Sequence, residues 1–79
     1  MSPEEVIRKA AALRGTGRYD EAVALVESNL PTNELRVVAL LQAFYAAEQK
    51  GDTSKARQIA EQIKETDPLL PTIKKYLND

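Results

Sequence analysis

Apolar residues recur along this chain at intervals of three and four, which is the spacing of a helix face rather than of a strand. Val6, Ala10 and Leu13, with Ile7 and Ala11 beside them, make a first stripe that stops at Gly15-Thr16-Gly17. Ala22, Leu25, Val26 and Leu30 make a second, predicted as a helix over about 19–29. Residues 33–50 carry two adjacent flanks, Leu35, Val38, Leu41 and Tyr45 on one and Val37, Leu40, Phe44 and Ala47 on the next. A helix apolar over so wide an arc packs on two sides, or on one side plus a partner. Ala56, Ile59, Ala60 and Ile63 give the stripe of a fourth helix over about 53–66, and Ile73, Tyr76 and Leu77 mark a short fifth over about 71–78. No segment alternates as a strand does. The fold class expected is therefore all-α.

The residues between these stripes say where each helix starts and stops. Ser2 is placed to cap the first helix, Pro3 sits at its first position and Glu5 completes a capping box. Glu4 with Arg8 and Glu5 with Lys9 are spaced for ion pairs along that helix. Pro31 ends the second helix early, because proline disfavours helical geometry in the residue before it. Thr32 or Asn33 is then the expected cap of the third, which gains at its N-terminal end the length the second loses. Gly51 ends the third helix, and Asp52 or Thr53 caps the fourth. Asp67-Pro68 closes the fourth, and Leu69-Leu70-Pro71 reads as a turn with exposed leucines.

One string recurs. Gly17-Arg18-Tyr19-Asp20-Glu21-Ala22 reappears, degraded, as Gly51-Asp52-Thr53-Ser54-Lys55-Ala56, with glycine to glycine and alanine to alanine each 34 positions apart. With Leu40, Ala43 and Asp67-Pro68 in register, the chain resembles the tetratricopeptide repeat family, whose unit is a pair of antiparallel helices. The resemblance covers residues 3–68. It implies two hairpins in a right-handed stack within a single domain, 1–79: repeat 1 over about 3–36, repeat 2 over about 37–70, and a capping helix over about 71–78. Three departures stand out. Phe44 occupies a place where a small residue is usual, and so is expected to splay its hairpin. Lys9 falls on an expected core position, and Pro31 comes early. The starting Met and its capping box suggest an intact array rather than an excised piece.

Composition narrows the chemistry. Seventy-nine residues make one domain, and a chain of this length buries only about 60% of its unfolded surface. The net charge of −1 argues against nucleic acid or a membrane surface held by bulk electrostatics. There is no His and no Cys, hence no thiol chemistry and no disulfide framework. Ser2, Ser28 and Ser54 have no fitting base nearby in sequence, and no loop has calcium-ligand spacing. Neither catalysis nor a metal or cofactor is expected. With no apolar signal core and no membrane-length apolar run, the default is a cytoplasmic protein.

The resemblance also implies a working face. The family's concave surface is lined by its first helices, which here present Glu4, Ile7, Ala11 and Arg14, then Val38, Leu41, Tyr45, Glu48 and Gln49. Apolar at its centre and charged at its rim, such a groove suits an amphipathic helix or an apolar extended segment. The plainer alternative is that Ile7, Val38, Leu41 and Tyr45 cover one another or lie under the C-terminal helix. Ile7, Ala11 and Gln42 stand where a carboxylate-clamping subgroup of the family has Lys and Asn, so that mode of holding chaperone tails is not expected. The leading expectation is a non-enzymatic adaptor for a protein or peptide partner. The alternatives are a small co-chaperone of the type III secretion kind, or a self-assembling homo-oligomer with Phe44, Leu69 and Leu70 on its end faces.

Overall fold

The computed structural model describes residues 1–77, and in it the chain is all-α. Helix α1 spans Pro3–Gly15, α2 Tyr19–Ser28, α3 Arg36–Lys50 and α4 Thr53–Thr66. A 3-10 turn, Pro71–Ile73, then runs into a single helical turn, α5, Lys74–Leu77. Asn78, the last residue expected in that final helix, lies outside the described residues.

The 34-residue recurrence is a recurrence of backbone geometry. Gly17 and Gly51 both adopt left-handed conformations, with φ of 80° and 85°. After α1, the Arg18 N–H donates to the Leu13 carbonyl at 2.9 Å and the Gly17 N–H to Arg14 at 3.1 Å. After α3, the Asp52 N–H donates to Ala47 at 2.9 Å and the Gly51 N–H to Glu48 at 3.0 Å. These are two copies of one helix-ending motif, in which glycine takes the left-handed position that a Cβ disfavours. Five residues after each glycine, Ala22 and Ala56 are fully buried. Each turn therefore reverses the chain and at once delivers a small side chain to the crossing of the paired helices.

The caps follow the sequence at α1 and α4 and depart from it at α3. Ser2 and Glu5 exchange both bonds of the capping box, at 3.0 and 3.2 Å. Asp52 caps α4 by accepting from the Lys55 N–H at 3.1 Å. Glu5 thus turns back to the cap, and no ion pair joins Glu4 to Arg8 or Glu5 to Lys9 among the described residues. The third helix starts at Arg36 rather than near 33 and gains no length at its N-terminal end. The Asn33 carboxamide accepts from the Leu35 N–H at 3.0 Å, making a local turn that competes with helix. Pro31 is buried, and its carbonyl accepts from the Arg36 guanidinium at 3.3 Å. This link is therefore folded against the domain.

α2 nests against both α1 and α3, α1 also touches α3, and α4 packs on α3 and on the C-terminal segment. The core they enclose takes one side from each stripe: Val6 and Ala10; Ala22, Val23 and Val26; Ala39, Leu40, Ala43, Phe44, Ala46 and Ala47; Ala56, Ile59, Ala60 and Ile63. Lys9 is exposed, so the first hairpin does without a core residue there. Phe44 has no exposed surface, which removes it from any end face; its ring meets Tyr76 edge-on at 5.5 Å. Leu69 is 88% exposed, as the turn predicted, whereas Leu70 packs partly against the core.

The C-terminal segment belongs to this core, because Ile73 is fully buried in it. Ile73→Ala is expected to cost about 2–5 kcal/mol, which in a domain of this size lowers the melting temperature by roughly 10 °C or more. Thermal denaturation followed by circular dichroism reads this directly. Melting unchanged by that substitution, or by removal of 71–79, would show that the segment does not close the core.

Candidate functional site

The face predicted to work is formed by α1 and α3. Ile7, Ala11 and Arg14 follow one another at helical spacing on α1, as do Val38, Leu41, Tyr45 and Glu48 on α3. Ile7, Ala11, Arg14, Leu41, Tyr45 and Glu48 are half-buried, and Glu4 and Gln49 are exposed. Ile7, Leu41 and Tyr45 lean on the buried core with one side each. Val38, in the first turn of α3, is 41% exposed. The described part of the C-terminal segment packs its backbone on α4, not on α1, and reaches α3 at Phe44 and Glu48. None of the described elements lies across the strip between α1 and α3.

At the C-terminal end of this strip the structure joins residues that are far apart in sequence. The Arg14 Nε donates to the Gln42 Oε1 at 3.2 Å and its Nη1 to the Gln49 Oε1 at 3.4 Å. The same guanidinium lies over the Tyr45 ring, 5.3 Å from its centre. By sequence Gln42 is only a mismatch to a carboxylate clamp; in the fold it fixes an arginine from another helix. No local pattern signals that bond, because its partners lie on different hairpins.

Glu48 is committed elsewhere. Its carboxylate accepts from the Tyr76 hydroxyl at 2.9 Å and pairs with Lys75 Nζ at 2.7 Å. The Arg57 guanidinium donates to the Tyr76 carbonyl at 2.7 Å, so α3, α4 and α5 are clasped around one tyrosine. Burial raises the Tyr76 phenol above its ordinary value, and the hydrogen bond to Glu48 raises it further. That same carboxylate raises Lys75, first by hydrogen bonding and then by its charge.

Two concavities lie away from the strip. One, of about 190 Å³, opens between α2, α3 and the start of α4 over Val23, Ala24, Ala46 and Ala47. Ion pairs flank it, Lys50 with Asp20 and Lys55 with Glu27, each at 2.6 Å. The other, of about 520 Å³, is a shallow depression on the outer side of the first hairpin, lined by Met1, Lys9, Ala12, Leu13, Thr16, Arg18 and Leu25. Among the described residues, no three acidic side chains gather as a metal site would need, and no helix is long and apolar enough to cross a membrane. Comparison with protein-family models, with the curated proteins and with the solved structures finds no match.

The clasp has a pH sign. A phenol or an ammonium whose folded value is raised contributes stability that is present below its unfolded value and is lost as pH rises through the folded one. Tyr76 and Lys75 both shift upward. The melting temperature is therefore expected to fall as pH rises past about 10. Tyr76→Phe, which keeps the ring against Phe44 but has no hydroxyl to titrate, should show a shallower decline. Identical alkaline profiles for the two proteins would rule out the tyrosine's part in it.

Proposed function

We propose that this protein is a two-repeat tetratricopeptide-type interaction module that holds a peptide or helix of another protein along the strip between α1 and α3. The observation that carries this reading is the apolar strip itself. Ile7, Val38, Leu41 and Tyr45 keep accessible surface where no described element covers them. A small domain that leaves apolar side chains in a row between two helices has a surface suited to an amphipathic partner. The repeat assignment is supported by the two glycine turns 34 residues apart and by the buried alanine after each. The absence of His and Cys from the chain, and of a cluster of three acids among the described residues, favours binding over catalysis. A small cytoplasmic co-chaperone is one specific form of such a module.

A second reading rests on a different surface. The 520 Å³ depression is mostly apolar at Met1, Ala12, Leu13 and Leu25, and it lies on the open side of the first hairpin. An array of two repeats leaves such ends uncovered. A second copy of the chain seated there would make a self-assembling protein. A molecular mass that stays monomeric across a wide concentration range in sedimentation would exclude it.

The first reading is tested with Leu41→Glu combined with Tyr45→Ala. Both residues are half-buried, so the double variant is expected to keep its helical circular dichroism while losing capture of amphipathic helical peptides by at least tenfold. A double variant that binds as before would remove the strip from consideration. One that unfolds would place Leu41 and Tyr45 among the residues holding the fold.

A further inference from the structure

We propose that the segment held on the α1–α3 strip is an amphipathic helix carrying an aspartate or glutamate side chain that seats on Arg14; this deepens the interaction-module reading and rests on it. The argument starts from the state of the arginine. Arg14 is half-buried, and its guanidinium is held by Gln42, by Gln49 and by the face of Tyr45. All three are neutral. No carboxylate pairs with it among the described residues. The acid placed nearest in register, Glu48, has its charge met by Lys75 and the Tyr76 hydroxyl. Glu4 stands ten residues back along α1, about 15 Å away at the helical rise. This end of the strip therefore presents a fixed, uncompensated cation beside apolar surface.

Two of the guanidinium's five N–H groups are engaged by the glutamine oxygens, leaving three to donate. A carboxylate is the partner that matches the planar donor pair of an arginine. The glutamines point the same way. Each gives its carbonyl oxygen to Arg14, which leaves its NH₂ group as a donor beside the cation. Three side chains, Arg14, Gln42 and Gln49, thus present donors or a positive charge at one place, and the immobilisation of Arg14 has already been met within the free protein.

The form of the partner follows from the rest of the strip. From Val38 to Tyr45 is seven residues, a rise of about 10 Å, which suits anchors at i, i+3 or i+4, and i+7 of a docked helix. Ile7, Ala11, Val38 and Leu41 offer no side-chain donor or acceptor. An extended peptide laid there would leave its backbone groups without partners, whereas a helix satisfies its own. The carboxylate belongs on a side chain within one turn of the anchor that meets Tyr45.

The test uses the 79-residue chain and a displayed library of helical peptides, each acetylated at its N-terminus and amidated at its C-terminus so that every carboxylate is a side chain. Peptides are selected on the wild-type protein and re-measured on Leu41→Glu, Arg14→Glu and Arg14→Met. The expected result has three parts. Selected peptides lose binding to Leu41→Glu. They share an acid in fixed register with their apolar anchors. Changing that acid to its amide weakens binding to the wild type about tenfold while changing little on Arg14→Met. Selection on Arg14→Glu should return lysine at the same register. Should Arg14→Glu fail to fold, Arg14→Met, which keeps the packed stem without the charge, carries the comparison alone. Peptides that need Leu41 but are indifferent to the acid overturn the Arg14 inference and leave the binding strip standing. If no peptide is selected, or if binding ignores Leu41→Glu, both fall together.

Discussion

Helices can run within about 8 Å of one another only where the facing side chains are small. In this domain that condition is met by alanine in every long helix: Ala10 in α1, Ala22 in α2, Ala39, Ala43, Ala46 and Ala47 in α3, and Ala56 and Ala60 in α4, all buried. Alanine contributes little apolar area itself. Its effect is to let Val26, Leu40, Phe44, Ile59 and Ile63 reach across to neighbouring helices and bury fully. The two glycine turns serve the same end, since each sets the next helix in place five residues before its buried alanine. Everything else, including which residues remain at the surface of α1 and α3, follows from where these close approaches fall.

α3 carries the largest share of this arrangement. It touches α1, α2 and α4, and through Phe44 and Glu48 it also meets Tyr76. Its sequence is apolar over a wide arc because different sectors of it serve different neighbours. One sector is entirely interior, at Leu40, Ala43, Phe44 and Ala47. Another faces outward: Leu41 and Tyr45 rest on the core with one side and keep solvent on the other, and Val38 is exposed. That division allows a domain of this size to have both a closed interior and an apolar strip facing outward.

The sequence made some of this legible and hid the rest, for separable reasons. Both turns were readable because a left-handed residue at a helix end selects glycine on steric grounds alone. The α4 stripe was readable because that helix has one buried side, so period and burial coincide. The start of α3 was not, because Asn33 can cap a helix or fold its own backbone, and the choice depends on where the buried Pro31 leaves the chain. Val23, buried in α2, lay outside the stripe read from sequence, because α2 is covered by α1 and α3 at once. Phe44 is an outer-face candidate by sequence, but Tyr76, in the segment after α4, closes over it. The residues of the strip were legible as a row through the repeat register. The hold of Gln42 and Gln49 on Arg14 was not, since it spans two hairpins and leaves no local trace.

The cleft between α2 and α4 bears on how this strip can move. Those two helices do not pack on each other, and the space between them is bordered by exposed ion pairs rather than by interlocked side chains. Such surface pairs weaken as salt is added. On α3, the residues lining the cleft (Ala46, Ala47 and Lys50) and those lining the strip (Val38, Leu41, Tyr45 and Glu48) fall on roughly opposite sides at 100° per residue. A change in the angle between the hairpins that widens one side therefore narrows the other.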